Sequence, residues 1–190
     1  MADPYIYTYP SPLSGWENSN EPLSDDKHQE GPNATALINP SPTVQSKAYT
    51  EFTSGITNGP RGGFDVHIYY VHTAPYELEF ATALHERIRR EFPELRIYRL
   101  WDRAVGPHPV AMFEVNLFTP VQFGAFVPWL VINRGPLSAL VHPNTGDDYR
   151  DHTQRATWLG QPYPLQAGIL RDLVQQREQR EKEGKNVVIS

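Results

Sequence analysis

Six of the seven histidines in the chain, His67, His72, His85, His108, His142 and His152, fall between residues 61 and 166. An imidazole titrates near neutral pH, ligates metals through a neutral ring nitrogen, and is costly to bury without a partner. So many in one stretch need a reason. His67 lies in Phe64-Asp65-Val66-His67-Ile68-Tyr69-Tyr70-Val71, a run rich in β-branched and aromatic residues that predicts a strand. His108 stands between prolines in Gly106-Pro107-His108-Pro109, a turn. His142 closes a predicted strand from Leu137, and His152 sits in Tyr149-Arg150-Asp151-His152-Thr153, at a helix start.

Alternation along the strands decides which of these can meet. On the first strand Phe64, Val66 and Ile68 share one face, and Asp65, His67 and Tyr69 the other. On a strand from Val110 to Leu117, the apolar set is Ala111, Phe113 and Val115, with Met112, Glu114 and Asn116 opposite. Leu140 and His142 share a face of the last strand. If those strands are neighbours, His67, Glu114 and His142 converge on one patch. Two imidazoles and a carboxylate are the facial triad that leaves open positions on Fe(II). His108 and His152, in a turn and a loop, suit general acid or base work.

Each residue also has a plainer reading. His67 can be a hydrogen-bonded sheet histidine and Glu114 an ion-pair partner, while His108 fits a surface turn and His152 a helix start. His72 and His85 read as structural or exposed. Trp101, Trp129 and Trp158 read as core. Arg134 and Arg150 could hold a substrate carboxylate, although an exposed arginine is usually just solvated.

The elements that must position these groups follow from periodicity. Pro75 opens a helix carrying Leu78, Ala81, Leu84, Ile88 and Phe92 at helical spacing, and Pro93 stops it. Arg96 to Asp102 predicts a second strand. Thr119-Pro120-Val121-Gln122 has the form of a capping box with proline at the first helical position, and Gly135 ends that helix. Pro128 inside it predicts a kink or an early end there. The order strand–helix–strand–strand–helix–strand is the split βαβ, or ferredoxin-like, α+β arrangement with an antiparallel four-stranded sheet. Both helices then cover one face, leaving the other for a site or for a homodimer partner.

Three segments are expected. Residues 1–60, punctuated by proline among Ser, Asn, Thr and Gly, form a largely disordered arm, with Tyr5, Tyr7 and Tyr9 alternating as a short strand would. Residues 61–166 are the domain. Residues 167–190 are a C-terminal helix and tail, with Leu165, Ile169, Leu173 and Val174 docking and Gln175 to Lys185 polar all round.

Composition narrows the function classes. A net charge of −5 and a pI near 5.8 give no basic face for nucleic acid or an anionic membrane. With no cysteine, disulfides, thiolate metal sites and cysteine nucleophiles are excluded. No apolar stretch approaches the length needed to span a bilayer, and a soluble cytoplasmic protein is the expectation.

The ordered strings Phe64-Asp65-Val66-His67-Ile68-Tyr69, Gly106-Pro107-His108-Pro109, Met112-Phe113-Glu114, Val127-Pro128-Trp129-Leu130, Asn133-Arg134-Gly135, Leu140-Val141-His142-Pro143-Asn144-Thr145-Gly146, Asp151-His152-Thr153 and Trp158-Leu159-Gly160 closely resemble the DOPA 4,5-dioxygenase family. They span the proposed domain; arm and tail lie outside. The resemblance implies a ferredoxin-like fold and oxygen-dependent opening of a catechol ring, such as that of DOPA, with non-haem Fe(II). It marks His67, His108, His142 and His152 as matching histidines and Glu114 as a matching carboxylate, without saying which touch the metal. Two alternatives stay open: a metal-free oxygenase using the histidines for acid–base work, and a non-catalytic binding or assembly protein on the same fold.

Overall fold

The computed structural model describes residues 6–17, 22–40 and 45–182. It divides into two units, residues 3–46 and a larger one from Lys47 onward, considered separately. In the small unit, His28 N–H donates to Ala36 O and Ile38 N–H to Asp26 O, a short antiparallel ladder closed around a turn. Tyr7 and Tyr9 are in no strand, and Tyr5 lies outside the described residues.

The large unit is a mixed α/β structure built on one antiparallel sheet. Its strands are β1 (Phe64–Tyr70), β2 (Arg96–Ile97), β3 (Ala111–Leu117), β4 (Ser138–Pro143) and β5 (Thr157–Leu159), in the order β2-β3-β1-β4-β5. The sheet therefore has five strands, not four. The fifth is three residues long, too short to show an alternating pattern in the sequence, and pairs Leu140 with Trp158. The second is far shorter than Arg96 to Asp102. Tyr98 N–H donates to Glu114 O and Trp101 N–H to Met112 O, three residues on one side against two on the other. That is the count of a β-bulge, and it ends regular pairing.

Helices α1 (Pro75–Glu91) and α2 (Pro120–Asn133) begin on their prolines. At α2 the Thr119 hydroxyl accepts from Gln122 N–H at 3.1 Å, and the Gln122 side chain accepts from Phe118 N–H at 2.7 Å. Pro128 is accommodated inside the helix. Beyond α2, Gly135 has φ +56°, and the Phe80 ring occupies the space a β-carbon there would need. Ala81, Leu84 and Ile88 of α1 and Phe126 and Leu130 of α2 bury against Val66, Ile68, Tyr70, Phe113, Val115 and Val141. This is the main core.

The opposite face was expected to be open, and available to a homodimer partner. It is covered by the chain itself: Tyr69, Met112 and Leu140 pack under Trp101, Val105, Val110, Trp158, Tyr163 and Leu165. Helices α3 (Asp148–His152) and α4 (Ala167–Lys182) follow β4 and β5 and pack on each other. Of the residues expected to dock from α4, Ile169 is exposed, Val174 is half-buried, and the side chain of Leu173 lies outside those described; among the described side chains of α4 Leu170 is buried. Residues 183–185 of the expected polar continuation lie outside the described residues.

The large unit also takes in part of the segment expected to be an arm. Phe52 packs on Phe64 with ring centroids 5.3 Å apart, and its ring fills the place of a side chain at Gly63. Thr57 donates through N–H and hydroxyl to Asn144 O, and Asn58 donates to Phe118 O at 2.7 Å. Among the described residues no helix is long and apolar enough to cross a membrane.

Candidate metal centre

Register brings the polar residues together on the covered face. On β1, His67 stands opposite Glu114 of β3 and Leu140 of β4, and Asp65 opposite Asn116 and His142. One row is thus Asn116, Asp65 and His142; the next is Glu114, His67 and Leu140. Helix α3 then delivers His152 over this patch. Asp147 caps it, its carboxylate accepting from Arg150 N–H at 3.0 Å. The buried Asp151 carboxylate accepts from Thr145 N–H and hydroxyl and from Arg155, which ties α3 to the loop after β4. The turn at Gly106–Pro109, closed by Val105 and His108 exchanging backbone hydrogen bonds, brings His108 in from the other side.

Four imidazoles are therefore buried together: His67 at 3% exposure, His108 at 5%, His142 at 1% and His152 at 7%. Ring centroids lie 4.1 Å apart for His67 and His108, and 3.9 Å for His142 and His152. Burial holds all four below the ordinary histidine pKa, with neighbouring imidazoles adding to the effect at His67, His108 and His142; His108 falls to about 3. The cluster is neutral and rich in nitrogen lone pairs. The one other histidine on a strand–helix seam, His85, bonds to Tyr98 O and packs edge-on to Phe113, a structural role.

The hydrogen bonds show which nitrogens carry protons. His142 Nδ1 is 2.9 Å from Pro143 O and His152 Nδ1 is 2.9 Å from Asp148 O. A carbonyl only accepts, so both Nδ1 atoms are protonated and both Nε2 atoms are lone pairs. His67 Nε2 sits 3.0 Å from His142 Nε2. If His67 donates there, its Nδ1 is a bare acceptor, and Nδ1 is buried with no hydrogen-bond partner. If a cation lies among the Nε2 atoms instead, the proton moves to Nδ1, which faces Glu114 Oε2 at 3.8 Å. A cation thus resolves the lone-pair encounter and turns Nδ1 into a donor that faces a carboxylate. Among the described residues His67, His142 and His152 form the one group of metal-ligating atoms close enough to share an ion, all within 4.8 Å of one another.

Glu114 stands behind His67. Asn116 Nδ2 donates to Glu114 Oε1 at 2.7 Å and to Asp65 Oδ1 at 2.8 Å, and Asn144 Nδ2 donates to the same Asp65 oxygen at 3.0 Å. Burial, then the nearby Glu114 charge, raises Asp65 to about 7; burial raises Glu114 as well. His108 has a partner no pattern announced. Its Nδ1 is 2.7 Å from the Tyr69 hydroxyl, and burial keeps that hydroxyl protonated.

Beside the centre lies a cleft of about 580 Å³, walled by Tyr149, His152, Trp158, Tyr163, Pro164 and Leu165 among others. His152 belongs both to the cleft and to the metal-ligating group, so the cleft borders the centre. Trp158 packs on the second core cluster, as expected, and is also one of the cleft's walls. Arg134 is committed elsewhere, donating to Leu137 O at 2.6 Å, and Arg150 bonds to Gln154.

A buried, nitrogen-rich group that could hold a metal ion thus lies beside a largely apolar cleft on one face of an antiparallel sheet. The chain belongs to the Dopa 4,5-dioxygenase family, whose model matches residues 64–169. It is 57% identical over 184 residues to an "Uncharacterized 21.2 kDa protein" of Botryotinia fuckeliana, covering 93% of this chain and 98% of that one. It is 31% identical over 137 residues to the DOPA 4,5-dioxygenase of Amanita muscaria, covering 69% of this chain and 59% of that protein's length. Its fold is similar to the crystal structure of a candidate dioxygenase from Nostoc punctiforme, with TM-score 0.55 and 34% identity, covering 68% of this chain and 99% of that one.

Proposed function

We propose that this protein is a dioxygenase of the extradiol type that opens the ring of a catechol, with iron(II) held by the Nε2 atoms of His67, His142 and His152. The observation that carries the reading is the buried trio of neutral imidazoles with converging lone pairs beside an aromatic cleft. The sequence reading put Glu114 among the ligands and His152 in proton transfer; the geometry favours His152 as the third ligand and Glu114 as the neighbour of His67. Bound there, iron(II) would let a catecholate and dioxygen exchange electrons, which ground-state dioxygen and closed-shell organic molecules do slowly by themselves.

The protein's own residues do the rest. With a cation among the Nε2 atoms, the His67 proton would lie on Nδ1 and face the Glu114 carboxylate at 3.8 Å, which would hold the ring's tautomer and raise the basicity of Nε2. Asn116 keeps that carboxylate aimed, and the raised pKa of Asp65 lessens the second negative charge beside it. His142 and His152 are oriented by the Pro143 and Asp148 carbonyls. Tyr69 donates to His108 Nδ1, so the proton of His108 rides on Nε2, the far edge of the ring, where it can be given to a substrate oxygen. Trp158, Tyr163 and Leu165 keep bulk water from the covered face. The strand order β2-β3-β1-β4 with α1 and α2 on one face supports a ferredoxin-like reading of the first four strands, extended by β5.

The test is an anaerobic iron(II) loading followed by air and a panel of catechols, recording oxygen uptake and absorbance. The reading expects one dioxygen consumed per catechol and a yellow ring-opened product. Stoichiometric turnover by protein stripped of iron would refute the metal's part in it.

A further inference from the structure

Three rings meet on the covered face: Tyr69 of β1, Trp158 of β5 and Tyr163 from the stretch after β5. Centroids are 5.4 Å apart for Tyr69 and Trp158, 5.3 Å for Tyr69 and Tyr163, and 6.5 Å for Trp158 and Tyr163. The hydroxyl of that same Tyr69 lies 2.7 Å from His108 Nδ1. A second contact leads to the same turn: Gln166 N–H donates to Pro107 O at 2.9 Å, next to His108 in the chain. Leu165 joins Val105 and Val110, which flank the turn, over Tyr69, Met112 and Leu140. Residues 162–166 therefore reach His108 twice, through a pair of rings and through the backbone. Tyr163 is half-buried, and burial, then the charge of Glu77, raises its hydroxyl pKa, so it acts as a neutral ring.

We propose that residues 162–166 are a positioning strap for His108, with Tyr163 holding Tyr69 to its hydrogen bond. This rests on the ring-opening reading, in which Tyr69 donates to His108 Nδ1 and leaves the proton on Nε2. A histidine in a turn has several side-chain rotamers and either of two neutral tautomers, and the Tyr69 hydroxyl selects among both. A phenol oxygen moves with its ring, so whatever bears on the ring sets where the donor points. Offset and tilted aromatic pairs have preferred geometries, which lets Tyr163 hold the ring without a polar contact. The Gln166 bond meanwhile ties the turn to the same strap. Tyr163 also walls the cleft, so a ring bound there rests on the residue that aligns the proton donor. Seating the substrate and aiming the acid then depend on one segment.

Full-length, iron-free protein with isotope-labelled histidine gives the direct test, since the NMR shifts of the ring nitrogens report the tautomer. Unsubstituted His108 should show one tautomer, with Nδ1 bare. Tyr69→Phe should bring its two nitrogen resonances toward each other, and Tyr163→Ala should do the same. Tyr163→Phe, which keeps the ring, should restore the unsubstituted pattern. Loaded with iron(II), Tyr163→Ala should bind the metal as the unsubstituted protein does and lower the single-turnover rate on a catechol by about ten- to hundredfold. In a His108→Ala background the same substitution should slow that step no further, while any change in KM remains. His108 resonances unmoved in Tyr163→Ala, or an equal loss of rate in the His108→Ala background, would overturn the proposal. If His108→Ala turns over at full rate, the acid reading fails, and the resonances still decide whether Tyr163 holds the ring.

Discussion

The two faces of β1 are equally buried and differ in everything else. Toward the helices, Val66, Ile68 and Tyr70 are at most 1% exposed in an apolar core. Toward the other side Asp65 and His67 are each 3% exposed and Tyr69 is fully buried, among imidazoles, amides and carboxylates. On the first face burial needs no further account. On the second every polar atom needs a partner, and most have one: Tyr69 has His108, and Asp65 has two asparagine amides. His67 does not balance, since one nitrogen meets a like nitrogen and the other meets nothing within reach. Exposure alone cannot tell a core from a site; the hydrogen-bond account can.

Substitutions can break this contrast. His67→Ala or His142→Ala should abolish iron binding and bring catechol-dependent oxygen uptake to background, while the protein still folds. Phe113→Ala, on the helix-facing side of β3, should do the reverse. It removes a fully buried ring and should cost about 3–5 kcal/mol of stability in urea unfolding, with the folded fraction keeping its iron by metal analysis. A His142→Ala protein that retains iron would erase the distinction between the faces.

Next in size is His108→Ala, which should keep iron and slow turnover by about two to four orders of magnitude in single-turnover kinetics. Glu114→Gln should weaken iron binding by roughly 10–100-fold in competition with a chelator, because the neutral amide is a poorer acceptor for His67 Nδ1–H.

The last effect is on the metal-free protein. His108 ionises near 6.5 when unfolded and at about 3 when folded, so below pH 6.5 the unfolded chain binds more protons. Its contribution is complete above pH 6.5 and is lost by about 1.4 kcal/mol for each pH unit below, down to the folded value. His67, His142 and His152 act in the same direction. Asp65, raised to about 7, opposes them, because its protonated form favours the folded state as pH falls. Four histidines against Asp65 and Glu114 predict net destabilisation on acidification, and bound iron should shift the loss to lower pH. Denaturant midpoints across pH 5–8, with and without iron, check this.

Much of the site was legible because β-strand alternation has a strict period of two. His67, Glu114 and His142 were placed on one face by counting from apolar neighbours, and the register puts them there. His152 was legible as a residue, but its position over the sheet was not. It depends on a five-residue helix held by Asp151, Thr145 and Arg155, contacts with no periodic signature. The Tyr69–His108 pair joins a strand to a turn 39 residues away, and tyrosine on a strand ordinarily reads as packing. Strand β5 was hidden by its length, and the bulge after β2 by tertiary pairing. Residues 47–60 read as arm with the rest of 1–60 because they show no helical or strand period among their Thr, Ser, Asn and Gly, although Phe52, Thr57 and Asn58 anchor part of that stretch to the sheet's end.

The central claim is that three histidine Nε2 atoms, and not a carboxylate, hold the metal. Anaerobic iron(II) titration of Glu114→Ala and His152→Ala, read as bound iron per chain beside the unsubstituted protein, tests it most directly. The account predicts one iron per chain for the unsubstituted protein, one more weakly bound for Glu114→Ala, and none for His152→Ala. Iron retained by His152→Ala and lost from Glu114→Ala would contradict it and return the carboxylate to the ligand set.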